Sequence, residues 1–398
     1  MKEGWKISTL KELSIISGDY GLSVPSKPFD GVRYLRITDI TDDGGLNDEL
    51  VSADIDGTKK KEELQEGDIL FARTGATVGK TLVFKNEFGD CLYAGYLIRY
   101  RLKKELILPR YMHYVTHSEA YYNWVATNQE AAAQPNISAK KYNLLPVRYP
   151  SLEEQQRIVS RLDAAFAQID ALKANATQQL NEARALFQKA LEEAMRPREG
   201  WEEKTLGELC DIYGRIGFRG YTTKDLVQSP SDGAISLSPS NIQDGKMDYS
   251  KLTYISWFKY EESPEIMIFD GDILLVKTGS SYGKSALVQG LPHEATINPQ
   301  SVVLKNFKIS NEFFAYQLRT NRVHLEFDHF VSGTAIPTFS QAKLSTVPIQ
   351  YPSIEVQHSI VSRLDSLSEK VRALEEVQQR TQAECDALKQ AMLREIFE

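Results

Sequence analysis

A mixed α/β protein is predicted, built as two tandem copies of one unit, each a globular head followed by a long α-helix. Three observations carry this. Landmark phrases recur about 200 residues apart; each copy ends in a long helical stretch with an apolar stripe; and between the landmarks lie short alternating strand patterns.

The repeat is legible letter by letter. GWKISTLKEL from Gly4 returns as GWEEKTLGEL from Gly200, an offset of 196. GDILFARTGATVGK from Gly67 returns as GDILLVKTGSSYGK from Gly271, an offset of 204. VRYPSLEEQQRIVSRLDA from Val147 returns as IQYPSIEVQHSIVSRLDS from Ile349, an offset of 202 with 11 identities in 18. A period this long is a domain plus an accessory element, not a solenoid repeat. The changing offset places insertions between the landmarks, where loops tolerate them. The boundaries that follow are a first head over 1–150, a first long helix over 151–199, a second head over 200–351 and a second long helix over 352–398.

Within the heads, Val32–Ile37, Tyr96–Leu102 and Ser301–Leu304 alternate as strands do, and Tyr111 to Val125 and Glu312 to Phe327 have helical character. The first long helix opens at Pro150-Ser151, with Ser151 and Glu154 spaced as a capping box. Its stripe runs Val159, Leu162, Phe166, Ile169, Lys173, Ala176, Leu180, Ala183, Phe187, Ala190 and Ala194 in steps of three and four, a coiled-coil seam that Pro197 and Gly200 bring to a stop. The second helix offers Leu364, Leu367, Val371, Leu374, Gln378, Thr381, Cys385, Leu388 and Met392. Neither stripe can be hidden by a lone helix, so the two are expected to pair, antiparallel, as a stiff spacer of about 60 Å. Leu172, Leu186 and Leu191 flank the first seam and are expected to face a partner.

Composition narrows the class. No apolar run approaches the ~18 residues of a membrane span, and MKEGWKISTLKEL has no signal-peptide core. Cys91, Cys210 and Cys385 form no CxxC pattern, so a reduced, cytoplasmic protein is expected. The net charge of −7 gives no basic domain, and a nucleic-acid partner would need local patches such as Lys59-Lys60-Lys61 or Arg99 and Arg101.

Catalytic patterns are absent in informative ways. GATVGK resembles a phosphate-binding P-loop but places three residues between its glycines where the motif needs four, and the second copy repeats the defect. His113 and His117 are spaced for one helix face, but HYVTH lacks the glutamate of the zinc-protease motif. Asp244-Gly245-Lys246 reads as a turn rather than a nuclease fragment. None of the 15 prolines has a proline neighbour, so the tetrapeptide of adenine amino-methyltransferases is missing.

Taken together, GW…L…L, GDIL…TG…GK and YPS.E.Q..IV.RLD before a long helix, all present twice, resemble the specificity subunits of type I restriction-modification systems over essentially the whole chain. The resemblance implies a non-catalytic subunit in which each head recognises one half-site of a bipartite double-stranded DNA target and the helices fix their separation. It also implies two methyltransferase subunits, which bring S-adenosylmethionine, and motor-nuclease subunits, which bring ATP and Mg²⁺. On that reading the glycine-rich phrase is a tight turn against DNA. Its candidate contacts are Arg73, Thr74, Thr77 and Lys80, with Tyr96, in the first copy, and Lys277, Thr278, Ser280, Tyr282 and Lys284, with Gln300, in the second. A second DNA-facing segment contributes Gln134 and Asn136, matched around Thr334. Two other readings stay open: a bipartite DNA-binding subunit of another modification or defence complex, and a P-loop nucleotide-binding enzyme.

Overall fold

The computed structural model describes residues 4–55, 63–129, 135–331 and 337–398. It divides into two compact units, one of residues 1–177 with 377–398 and one of 178–376, so that each holds a head, part of its own long helix and part of the other.

In the first unit an antiparallel sheet runs in the order Ser14–Tyr20, Leu97–Leu102, Ile69–Ala72 and Thr81–Val83. In the second, the corresponding strands are Asp211–Gly214, Ser301–Lys305, Ile273–Val276 and Ser285–Leu287, and Lys246–Met247 and Ile242–Gln243 extend the sheet to six. The two central strands explain why GDIL is followed by unbroken apolar residues. Ile69 and Phe71 enter one core cluster while Leu70 and Ala72 enter another. Ile273 and Leu275, against Leu274 and Val276, divide the same way. A strand buried on both faces cannot alternate with polar residues. The expected strand at Val32–Ile37 is shorter, Arg33–Leu35, and pairs in parallel with Cys91–Tyr93.

Each expected head helix is broken in two. Pro109–Val115 is followed by Glu119–Asn128, and Asn311–Gln317 by Asn321–Phe330. Ser118 and Thr320 cap the second helix of each pair, their hydroxyls accepting from the Tyr121 and Val323 N–H groups. At 3.6 residues per turn a three-residue break is close to one turn and preserves much of the apolar stripe, which is why the pattern reads as continuous.

The repeated YPS.E.Q..IV.RLD segment is the joint between head and long helix. Gln155 is fully buried; its side-chain oxygen accepts from the Leu108 N–H at 2.9 Å and its amide donates to the Leu106 and Pro150 carbonyls. Gln357 likewise accepts from the Ser310 N–H at 2.9 Å and donates to the Pro352 carbonyl. Asp163 and Asp365 accept from the Tyr114 and Tyr316 hydroxyls. A buried amide with all its partners present fixes the angle at which the helix leaves. At the helix start Ser151 accepts from the Glu154 N–H at 3.4 Å, while the Glu154 carboxylate pairs with Arg157 instead of completing the box.

The long helices span Leu152–Ala194 and Ile354–Phe397. They run antiparallel in both units: Arg161 meets Glu395, Asp170 meets Lys389 and Lys173 meets Asp386 in the first, and Arg184 meets Glu375 in the second. The first seam is as expected, with Val159, Leu162, Ile169 and Leu180 buried and Phe166 and Phe187 packed on the two cores. The second is met at seven of its nine positions: Leu364 and Cys385 are buried and Leu367, Val371, Gln378, Thr381 and Met392 half-buried, but Leu374 and Leu388 are 37% and 51% exposed. Ser368, Glu375, Gln382 and Lys389 are half-buried as well. These are the residues that the 202 offset aligns with Phe166, Lys173, Leu180 and Phe187. Leu191, expected beside the first seam, is fully buried in the second unit's core, whereas Leu172 and Leu186 are 56% and 67% exposed.

Candidate nucleic-acid interface

Both glycine-rich phrases fold as β-hairpin loops. The Gly79 N–H donates to the Ala72 carbonyl at 3.0 Å and the Ala72 N–H to the Lys80 carbonyl at 2.8 Å; Gly283, Val276 and Lys284 repeat this at 2.8 Å each. A strand, not a helix, follows each loop, so the helix N-terminus that completes a P-loop is missing and that reading fails.

The glycines answer to backbone geometry. Gly75, Gly79, Gly279 and Gly283 have φ of 71°, 89°, 98° and 81°, a region that side chains disfavour. A Cβ at Gly79 would also lie 2.9 Å from Val125, and one at Gly283 2.8 Å from His324. Gly79 and Gly283 therefore seat the loop on a head helix, facing away from any ligand.

The loop is joined to the second expected segment, identically in both units. The Gly75 N–H donates to the Pro135 carbonyl and the Gly279 N–H to the Pro337 carbonyl, both at 2.9 Å. Thr74 bridges Asn136, and Thr278 bridges Thr338. The third strand of the junction ends at Tyr96 and Gln300, whose carbonyls accept from the Arg73 and Lys277 N–H groups at 3.1 and 2.9 Å. Sequence positions far apart thus form one backbone frame, made twice, with different side chains.

In the first unit Arg73 lies over the Tyr20 ring at 4.9 Å and donates through Nε to the Asn136 Oδ1 at 3.3 Å. Beside it Tyr96 is 60% exposed. Thr77 donates its hydroxyl to the Thr74 carbonyl. Thr74 itself is buried, 7% exposed, and offers no surface to a phosphate. Lys80 is held by Asp42 at 2.7 Å. In the second unit Lys277 is half-buried, and burial draws its ammonium below the usual lysine range. Thr278 shares a hydrogen bond with the Thr338 hydroxyl at 2.9 Å. Ser280, Lys284 and Gln300 are exposed, with Gln300 held by the Asn298 amide. Tyr282 turns onto Phe339 and donates to Asp328 at 2.8 Å, so it is a packing residue. Gln134 and Thr334 lie outside the described residues, as do Lys59, Lys60 and Lys61. Arg99 and Arg101 are not a surface patch: Arg99 is buried against Asp19, and Arg101 forms a two-pronged pair with Asp68 at 2.6 and 2.7 Å.

Tyr20 is the contributor that sequence reading missed. It lies about 50 residues before Arg73 in a strand without special composition, and only the register Tyr20 to Ile98 brings it alongside.

Among the described residues no group of three His, Cys, Asp or Glu side chains is placed to hold a metal. The His113 and His117 rings lie 4.2 Å apart, tilted by 37°; His117 Nδ1 donates to the His113 carbonyl, and burial, followed by the neighbouring His117, pushes the His113 pKa down to about 2. Asp244 and Gly245, with φ of 49° and 79°, form a hairpin turn as expected. The three cysteines are free and buried, and no helix among the described residues is long and apolar enough to cross a membrane.

Two heads on one repeated frame, each leading into a paired long helix, define a tandem specificity-domain architecture. The chain belongs to the family of the type I restriction modification DNA specificity domain, which matches residues 2–182 and again 198–384. It is 27% identical over 180 residues to the Type I restriction enzyme EcoBI specificity subunit of Escherichia coli, 44% of this chain and 38% of that one. It is 21% identical over 340 residues to the Type I restriction enzyme MjaVIII specificity subunit of Methanocaldococcus jannaschii, 81% of this chain and 77% of that one. A chain solved in work on complex assembly and conformational transition of the type I R-M system shares the fold with a TM-score of 0.76 at 19% identity, covering 100% of this chain and 98% of that one.

Proposed function

We propose that this chain is the non-catalytic DNA-recognition subunit of a type I restriction-modification complex, each unit reading one half-site of a bipartite duplex target. The observation that carries the reading is the duplicated frame. Gly75–Pro135 and Gly279–Pro337 make the same backbone bond, yet the frame presents Arg73, Tyr96 and Asn136 in one unit and Lys277, Gln300 and Thr338 in the other. A common scaffold with differing polar groups suits two different base sequences, because phosphate contacts position a protein while base contacts specify. The long helices set the distance between the half-sites and, through exposed Leu172, Leu186, Leu374 and Leu388, offer apolar surface to two methyltransferase subunits. Those subunits supply S-adenosylmethionine, and motor-nuclease subunits supply ATP and Mg²⁺.

The test is reconstitution with the methyltransferase subunits and mapping of methylated adenines. Methylation confined to a two-part sequence with an unspecified spacer is expected. Methylation at a single continuous site, or methyl transfer by this chain alone, refutes the proposal.

A further inference from the structure

In the two ion pairs nearest the middle of the helix pair the first helix supplies both cations and the second both anions, so positions that the repeat makes equivalent carry opposite charges. In the first unit the first helix contributes the cation, Lys173, and the second the anion, Asp386, at 2.8 Å. In the second unit Arg184 and Glu375 meet at 2.7 Å. The 202 offset that relates the two helices carries Lys173 onto Glu375 and Arg184 onto Asp386. The same pair of repeat positions is therefore occupied twice, with opposite charges.

This matters because duplicated helices with matching seams have a competing way to pair. The first helix could pair antiparallel with the first helix of another copy, which would set Lys173 against Arg184. Two second helices would set Glu375 against Asp386. A third contact points the same way: Lys389, which pairs with Asp170 at 2.5 Å, would face Arg372 in such a pairing. Arg161 with Glu395 does not discriminate, since the offset carries them onto Arg363 and Glu193, which have the same signs. Lys173 and Glu375 occupy inward seam positions, where a polar side chain specifies register and oligomer state at a cost in stability. Like charges placed together there act against the wrong assembly.

We propose that Lys173, Arg184, Glu375 and Asp386 form a pairing code that commits each long helix to the other half of the chain and rejects the same helix of a second copy. The code keeps two different recognition units in one particle, and it holds whatever DNA they read.

The test uses the full chain. One variant carries Lys173→Glu with Arg184→Glu, a second Glu375→Lys with Asp386→Lys, and a third all four changes. At low salt the first and second are expected to melt about 5 °C below the parent and the third to recover most of that loss, since the signs again oppose across the helices, short of the parent because Arg184→Glu also gives up the 3.4 Å contact with Asp244. The first and second variants, carrying different tags and produced together, are expected to capture one another as a species of twice the mass, whereas two tagged copies of the parent are not. This mixture remains informative if either variant alone fails to fold. Unchanged melting of the first two variants, no recovery in the third, or capture no greater than between parent chains each overturns the proposal.

Discussion

Arg73 gives the proposed reading its sharpest consequence. Its guanidinium lies over the Tyr20 ring at 4.9 Å and its Nε is held by Asn136 at 3.3 Å, so the fork is positioned before DNA arrives. A fork held in this way suits the paired acceptors of a guanine in the major groove, a contact that discriminates by about 1–3 kcal/mol. Arg73→Ala should lower affinity for the target by about 5- to 150-fold and flatten preference at one base pair of the first half-site. Arg73→Lys retains the charge without the planar fork and should lose the same preference with less affinity. Tyr20→Leu removes the ring contact, about 0.5–1 kcal/mol, and should weaken binding a few-fold with the base preference kept. The assay is binding of the reconstituted methyltransferase complex at fixed salt to duplexes that each change one base pair. Preferences in the second half-site should stay unchanged, because Lys277 occupies the equivalent position there and is untouched. Equal loss on target and unrelated DNA would make Arg73 a phosphate contact, and no loss would remove it from the interface.

Lys284 is exposed, so Lys284→Ala should weaken binding to all sequences alike and lower the salt slope by about one; Lys80→Ala should lower it by less, since Asp42 already neutralises Lys80. Leu364→Ala, at a fully buried site, should cost about 2–5 kcal/mol in urea unfolding, whereas Leu388→Ala, half exposed, should cost under about 0.5 kcal/mol. Comparable losses would contradict the seam described. Burial holds His113 near a pKa of about 2, below its ordinary 6.5, so as pH falls through 6.5 the unfolded chain gains the proton first. Stability from this group is complete above pH 6.5 and declines below it, by about 2 kcal/mol at pH 5; His113→Asn should make the first unit's melting less steep in pH, the remaining slope coming from His117, whose pKa burial also lowers. One heptad inserted after Ala176 and one after Gln378 keeps both seams in register and adds roughly 10 Å. The preferred spacer should then lengthen by about three base pairs with both half-sites unchanged, recovery being partial because three pairs also rotate the second site by roughly 100°; retention of the original spacing would assign the ruler to the methyltransferase subunits.

Much of this molecule is written locally. The duplication, the two long helices, the first seam and both glycine-rich loops follow from phrases that recur about 200 residues apart, since a repeated phrase reports a repeated structural demand. Gly79 and Gly283 are such a case: their positive φ is a property of one residue and shows wherever the phrase is written. The second seam was misplaced at Leu374 and Leu388 by following leucines, although the 202 offset already pointed to Glu375 and Lys389. Hydrophobicity ranks side chains by their own transfer energy, whereas the inward face of a paired helix also depends on the charges opposite, here Arg184 and Asp170. Arg99 and Thr74 show the same limit, since burial of the one against Asp19 and of the other beneath Asn136 is set by strand register and loop joining. The Tyr20, Arg73 and Asn136 cluster exists only in the folded chain. Its members are separated by more than 50 residues each, and contacts over such distances are specified by the packing of a whole sheet and its loops, which no local stretch of residues encodes.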